Sequence, residues 1–547
     1  MADETSPTRV SRTGAACACL VGGLLATMLV AVPREWLMTD RFTFPKAMLF
    51  HGAALATGVT CLVQVRRWRL DTVTLLLGGF AGLGLLSSLF VAHNPWLVPA
   101  AVGVTFSGSV LFLAARALAE EGRRETLLLA VALAAGLLAL SVLLEAYGPL
   151  TGLSTWNRAP GGTLGHRNRA AHLLVLCLPV AWLCLVRARE RWKVGVLLVV
   201  VILLGTAVTL TRSRASWLVA FVLGIAMAGA WALGRRGLGG ITWRTASFIV
   251  AVLTGVGLAL GLPNTLEWRS SYADTLRRIG EHDAGSGRGR LIQYANTLRM
   301  AADAPLLGVG PGNWMVHYPR YATPGDPSYT VDALLPVDVL PQSDWVGLLA
   351  ERGLPALALL AAVAGLLFVQ CWRRVRQSPE PESRVEALAL MAVLAALLVL
   401  GALDTVLLTP TATFLVAVTV GALARSQREW MVGVPGAGRW WAVAGAVLLV
   451  GGPLVYGAVT GWARQLSYLR PQTEERIALA VRLDPGGYEA RVFLGQMMSR
   501  NGRCEQALDV LREASQLLPH AEMPRRASAR CQRMLTPKRD GGPVEGE

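Results

Sequence analysis

VGVLLVVVILLGTAVTL (194–210) has no ionisable side chain, and cations bound it on both sides, at Lys193 and Arg212. A helix crosses a bilayer with about 20 apolar residues, and in hydrocarbon every backbone amide must be bonded within its own segment. This run therefore reads as a spanning helix. Runs of the same kind recur at about 15–32, 45–64, 72–91, 97–118, 125–146, 170–186, 216–233, 245–262, 344–371, 385–408, 411–424 and 440–459. The fold expected is all-α, a polytopic membrane protein of 12–13 helices. The first run follows Arg9 and Arg12 and lacks a small-x-small cleavage site, so it reads as a retained helix rather than a leader.

Composition agrees. Of 547 residues, 53% are hydrophobic and 16% charged, against about 25% charge in an ordinary soluble domain. Aromatic residues make up only 7%, so the apolar excess is Leu, Ala, Val and Gly. A wholly soluble protein is excluded. The net charge of +16 sits in short clusters between apolar runs, not on a basic face of a soluble domain, so nucleic acid is not the expected partner. The eight cysteines form no CxxC pair, and Cys61, Cys177, Cys184 and Cys371 read as small hydrophobes.

The basic clusters also orient the chain. Arg66, Arg67 and Arg69, then Arg123 and Arg124, then Arg187, Arg189, Arg191 and Lys193, then Arg235 and Arg236, then Arg373, Arg374 and Arg376 fall in alternate connections. These belong in the cytoplasm. The stretch 147–169, the turn 211–214 and the long loop 263–343 are consequently outside, and an odd helix count sends the C-terminus there too. The chain divides into a membrane domain, 1–462, and an extracytoplasmic helical segment with a disordered tail, 463–547. In that segment Leu494, Gly495, Ala507, Leu511, Ala514 and Pro519 fall at tetratricopeptide spacings, preceded by Ala480 and Pro485. It reads either as a partner- or glycan-binding array or as a helical hairpin packed on the membrane domain. Cys504 and Cys531 would lie in the oxidising compartment, where they can pair.

Long outer loops carry function. The loop 263–343 holds Arg269, Arg277, Arg278, Arg288, Arg290, Arg299 and Arg320, against the positive-inside trend. A cationic surface beside the bilayer suits a lipid phosphate or diphosphate; the alternative is pairing with Glu267, Asp283 and Asp303. Arg214, at the outer end of a spanning helix, and Arg290, at the head of an amphipathic stretch, are the arginines placed to clamp a diphosphate between membrane and loop.

Five segments then carry a family resemblance: DRFTFPK (40–46), GTLGHRNRAAHLL (162–174), TRSRASWL (211–218), RLIQYANTLRMAADAPLLGVGPGNW (290–314) and SDWVGLLAERG (343–353). In this order on a polytopic chain they resemble the O-antigen ligase family of bacterial polysaccharide ligases, polymerases and O-linked oligosaccharyltransferases. The resemblance implies an inner-membrane glycosyltransferase that moves a glycan from a polyprenyl (undecaprenyl) diphosphate to a lipid or glycan acceptor hydroxyl, without metal or other cofactor. By the same resemblance, Arg214 and Arg290 hold the diphosphate, and Lys46 adds a third cation. The sequence departs from the family at one position. Relatives place a histidine before the segment that opens the helix after the long loop, where this chain has Gln342, which cannot accept a proton at neutral pH.

The acceptor hydroxyl benefits from a general base, so a substitute is sought. Asp344 shares a helix face with Leu348 and Glu351, so both carboxylates can point into a bundle cavity. His317 closes the long loop, and His166 and His172 lie at the outer end of a spanning helix. Asp404 is a lone carboxylate near the outer end of the run 385–408. Asn168 either orients sugar hydroxyls or caps its helix. No DxD or His/Asp cluster marks a metal site. Alternatives to a ligase are a polymerase of the same family, a non-catalytic protein that binds glycan-lipid and recruits a protein partner through its C-terminal repeats, and a transporter.

Overall fold

Each apolar run folds as the helix its length requires. Before the long loop these are α1 (Gly14–Leu29), α2 (Thr43–Gln64), α3 (Thr72–Phe90), α4 (Val98–Leu118), α5 (Arg124–Tyr147), α6 (Arg167–Arg187), α7 (Arg191–Thr211), α8 (Arg214–Gly234) and α9 (Gly239–Gly261). The loop carries α10 (Tyr272–Arg277), α11 (Gly285–Asp303) and α12 (Trp314–His317). The bundle resumes with α13 (Asp344–Gln377), α14 (Pro381–Leu403), α15 (Pro410–Leu423), α16 (Gly436–Ala446) and α17 (Gly452–Tyr468). Four helices end the chain: α18 (Glu474–Leu483), α19 (Tyr488–Arg500), α20 (Cys504–Leu517) and α21 (Glu522–Leu535).

This computed structural model describes residues 13–536 apart from 35, 38, 66, 155–157, 235–238, 267, 269, 278–284, 338–339, 426–429 and 434–435. Arg9, Arg12, Arg66, Arg235, Arg236, Glu267, Arg269, Arg278, Asp283 and the tail from 537, all singled out above, lie outside the described residues. Among the described residues nine helical stretches are long and apolar enough to cross a membrane. One of them, Pro95–Tyr147, breaks at Gly122 (φ 87°) and makes two passages, α4 and α5. Three shorter apolar helices, Gly14–Leu29, Arg214–Ala226 and Pro410–Leu423, complete the series read from the sequence. Among the described residues the all-α reading gains an antiparallel ribbon, β1 (Arg67–Leu70) with β2 (Trp430–Gly433), which ties two connections at the end of the bundle away from the long loop.

Polar side chains fix the helix ends. Asp71 caps α3 by accepting the Thr74 amide at 3.0 Å, and Arg116 of α4 grips both its oxygens at 2.9 and 2.8 Å. Such a bidentate pair, buried on both sides, registers two neighbouring helices. Glu145 near the end of α5 accepts the Ser154 and Gly162 amides at 2.8 and 2.6 Å and folds the following connection over the bundle.

The long loop is built into the bundle backbone. Helix α13 breaks at Gly353 (φ 78°), and the carbonyls freed there take loop amides: Val309 to Ala350 at 2.9 Å and Gly310 to Glu351 at 3.0 Å. A Cβ on Gly353 would stand 2.2 Å from the Leu306 carbonyl oxygen, so the left-handed backbone and the close approach both require glycine there. This junction is the physical content of LLGVGPGNW. The loop and the last helices share one apolar cluster, in which Trp314 and Tyr318 pack with Tyr488, Val492, Ala514 and Leu518. Ala507, Leu511 and Ala514 are buried between consecutive C-terminal helices, and a Cβ on Gly495 would meet Leu511 at 2.6 Å. Cys504 and Cys531 are both buried and free thiols, not a disulfide, and the Cys504 thiol donates to Met534 Sδ at 3.7 Å.

Candidate active site

Helices α6 and α14 bring their loop-side ends together, and Asp404 is the first residue beyond α14. Its backbone is extended (φ −160°, ψ 175°), which turns the carboxylate back toward α6 and the head of α11. One oxygen, Oδ1, accepts the Thr405 amide at 2.8 Å. The other, Oδ2, stands 3.8 Å from Arg290 Nη2 and 3.9 Å from His172 Nε2. These gaps exceed a hydrogen bond, so Oδ2 keeps its accepting capacity. His172 is buried and its Nε2 has no partner. The Arg290 and Asp404 side chains are 22% and 25% exposed, so the group is open to a ligand.

Neighbouring segments hold this group in place. The hydroxyl of Tyr294, one turn beyond Arg290, donates to the Ala402 carbonyl at 2.7 Å and lies 3.2 Å from the Gln342 carbonyl. Burial pushes that phenol up to about 12, so it remains a neutral donor. The Gln342 amide in turn donates to Gln293 Oε1 at 2.6 Å. The backbone of Gln342 thus lies within the network that carries Arg290 and Asp404, even though its side chain is not a base. His166 borders the group; burial and then the adjacent Arg169 hold it down to about 4 while Asp404 opposes the shift, so it is neutral at pH 7.

A second set of cations gathers round the start of α6. Arg167 feels the charges of Arg212 and Arg214. Arg212, in a left-handed conformation (φ 51°), donates to the Ser270 carbonyl at 2.8 Å and to Thr275 Oγ1 at 2.6 Å. The Arg167 and Arg212 guanidiniums both lie over the Trp268 ring, at 5.1 and 4.9 Å. Arg212 therefore fastens the loop. Arg214 opens α8, half-buried, and its charge acts on Arg167.

Several residues expected at the site have other work. Lys46 is buried and donates to the Thr27, Met28 and Val30 carbonyls at 3.0, 3.2 and 2.7 Å. It caps the end of α1, and the ammonium has no donor left for a diphosphate. Asp344 was expected to point into a cavity with Glu351; instead its carboxylate accepts the Val406, Leu407 and Leu408 amides, at 3.0, 2.9 and 3.3 Å, and shapes the turn that follows Asp404. Glu351 does line a cavity but takes the Trp314 amide at 3.3 Å, holding the loop junction. His317 lies against His93, with ring centroids 5.9 Å apart, and His93 meets the Gln516 carbonyl of α20 at 2.9 Å. Burial, followed by His93 and His520, lowers it to about 4. Asn168 is not the cap of α6: His166 is, accepting the Asn168 amide through Nδ1 at 3.2 Å. Asp303, proposed as an arginine partner, accepts the Tyr321 hydroxyl at 2.6 Å.

Arg167, Arg169 and Tyr294 were not singled out from the sequence. All three sit inside quoted segments, and Tyr294 stands at i+4 from Arg290, a spacing that puts both on one helix face.

Residues 198–361 match the family described as O-antigen ligase. The matched stretch runs from within α7 to within α13 and contains Arg214, Arg290 and Gln342, whereas His172 and Asp404 reach the site from helices outside it. The chain is accordingly a polytopic, mainly α-helical membrane protein whose residues 198–361 are similar to the O-antigen ligase family. No curated protein matches it.

Proposed function

We propose that the protein transfers a glycan from a polyprenyl diphosphate, of the undecaprenyl type, to an acceptor hydroxyl at the outer face of the bacterial cytoplasmic membrane. The observation that carries this reading is the open group Arg290–Asp404–His172 beside the cations of α6 and α8. The acceptor oxygen attacks the anomeric carbon, and its proton passes to Asp404 Oδ2, the oxygen that no protein donor occupies. The bond from the anomeric carbon to the diphosphate breaks and the diphosphate leaves with its electron pair. Arg290 stabilises that developing charge in a low-dielectric setting, and Arg214 and Arg167, at the starts of α8 and α6, are the further cations assigned to the diphosphate. His172 steadies the carboxylate as it gains the proton. Asp404 then takes the part that Gln342 cannot fill.

The arginine-rich end of the bundle belongs in the cytoplasm by the positive-inside rule, which puts the N-terminus inside and the long loop and C-terminal helices outside. The test is transfer of a labelled polyprenyl diphosphate oligosaccharide by the purified protein in liposomes, with native cell-envelope extract as acceptor source. Product from the wild type and none from Arg290→Ala or Asp404→Asn is the expected result. A folded wild type that binds the carrier and makes no product, with extract from producing cells present, supports a non-catalytic glycan-lipid-binding protein instead.

A further inference from the structure

The C-terminal helices are seated on the long loop, and the seam between them holds three histidines from three separate segments. His93 comes from the connection between α3 and α4, His317 ends α12 in the long loop, and His520 lies between α20 and α21. The His317 and His93 rings meet edge to face, 5.9 Å between centroids. His93 Nε2 donates to the Gln516 carbonyl of α20 at 2.9 Å. His317 Nε2 is buried and, among the described residues, has no partner. The rest of the seam is apolar: Trp314, Met315 and Tyr318 of the loop share one cluster with Tyr488, Ala514 and Leu518.

The charges that act on the two inner histidines are basic. His317 feels His93, His520 and Arg320, and His520 feels Arg525, Arg320 and His93. Several carboxylates of the same segments are engaged elsewhere. Glu522 lies 3.5 Å from Arg525, Glu513 lies 3.1 Å from Arg491, and Asp332 pairs with Arg526. Asp326 and Asp303 take the hydroxyls of Tyr318 and Tyr321, both at 2.6 Å. A proton added here therefore meets like charge and apolar side chains, while an imidazolium needs an acceptor for each of its two ring N–H groups.

We infer that the three histidines form an acid-sensitive latch, which holds the C-terminal helices on the long loop while neutral and releases them when His317 and His520 are protonated. Burial, then His93 and His520, hold docked His317 down to about 4, and burial, then Arg525, lowers docked His520. Released into water, an imidazole returns to about 6.5. Between those values the released form binds protons that the docked form refuses, so docking weakens as pH falls through that window. From His317 alone the docking constant should fall about 30-fold between about pH 7.5 and about pH 5. His520 acts in the same direction. Release also reaches the loop. Met300 and Ala301 of α11, the helix that carries Arg290, belong to the seam cluster, and Trp314 Nε1 donates to Thr297 of α11 at 3.1 Å.

The experiment is hydroxyl-radical footprinting of the full-length protein in nanodiscs, read by mass spectrometry along a urea series at those two pH values. Trp314, Met315, Tyr318 and Tyr488 are buried in the seam and report docking, whereas Trp182 and Met28 are buried in the bundle and report the membrane domain. The seam residues should become oxidisable at lower urea than the bundle residues. Their docking constant should drop about 30-fold or more in acid, with the bundle midpoint unmoved. His317→Gln and His520→Gln, neutral at both pH values, should each reduce that ratio, and the double variant should remove most of it. Arg320→Gln, which takes away a facing cation, should move release to lower pH. Arg320 is exposed, so this variant keeps the test decisive even where a histidine substitution unseats the helices outright.

A seam midpoint that is the same at both pH values, or a pH ratio unchanged in the double variant, would overturn the latch. Oxidation of Trp314 and Tyr488 in step with Trp182 would overturn it too, because the C-terminal helices would then not part from the loop as a unit. The footprint is read with neither glycan donor nor acceptor present, so its outcome stands apart from that of the transfer assay.

Discussion

Helices α6 and α14 carry a charged group at each end, and the two groups differ in how far they are closed. At the end away from the long loop, Glu386 of α14 is 2% exposed and meets Arg187 at 2.5 Å, Arg425 at 2.8 Å, Arg374 at 3.1 Å and Arg124 at 3.3 Å. Every lone pair of that carboxylate is engaged, and the arginines come from four segments. At the loop end, Asp404 keeps one oxygen 3.8 Å from Arg290 and 3.9 Å from His172. The same two helices thus end in a closed ion cluster that fastens the bundle and an open one with hydrogen-bonding capacity to spare. The contrast separates closed from open charge more sharply than the count of arginines does, since the closed cluster has more of them.

Substitutions break the comparison in opposite ways. Asp404→Asn should lower the turnover of folded protein about 10²–10⁴-fold, the range for removing a general base, with the melting temperature unchanged. Arg290→Ala should do the same, and Arg290→Lys should recover little, because an ammonium cannot reproduce a bidentate fork; a fully active lysine variant would reduce Arg290 to a point charge. Glu386→Gln should destabilise by roughly 3–5 kcal/mol, because it leaves buried arginines without their counter-charge. Denaturation and turnover per folded molecule, measured together, distinguish this from a chemical defect.

Asp344→Asn sharpens the comparison further. The side-chain carbonyl can still accept amides from the 406–408 turn, so measurable transfer should persist where Asp404→Asn has none. Equal loss in both variants would return the proton to Asp344. The smallest effect concerns pH. His317 sits at about 4 in the fold against an ordinary 6.5, so between those values the unfolded chain binds the proton and the folded chain does not. Stability should therefore fall as pH drops from 6.5 to 4, and His317→Gln should flatten that slope in a thermal-unfolding series.

The bundle was legible because hydrocarbon thickness dictates run length; the last run, 440–459, was the least well bounded, since the helical stretch there continues to Tyr468. Arg214 and Asp404 were legible as charges near the ends of spanning helices, and Arg290 as one at the head of an amphipathic stretch. What the sequence concealed was partnership at long range. Asp344 looks like a base until the amides 62 to 64 residues further on are seen to occupy it. Lys46 looks like a ligand for phosphate until the end of α1 is folded against it. The same limit applies to His172, whose value lies in facing Asp404 from another helix.

One measurement tests the central claim most directly: glycan transfer per folded molecule for Asp404→Asn and Glu386→Gln, side by side in liposomes with the labelled polyprenyl diphosphate donor. The account predicts that Asp404→Asn is stable and inactive, and that Glu386→Gln is unstable yet active in whatever fraction folds. A stable, active Asp404→Asn would contradict it and remove the chemistry from the open cluster.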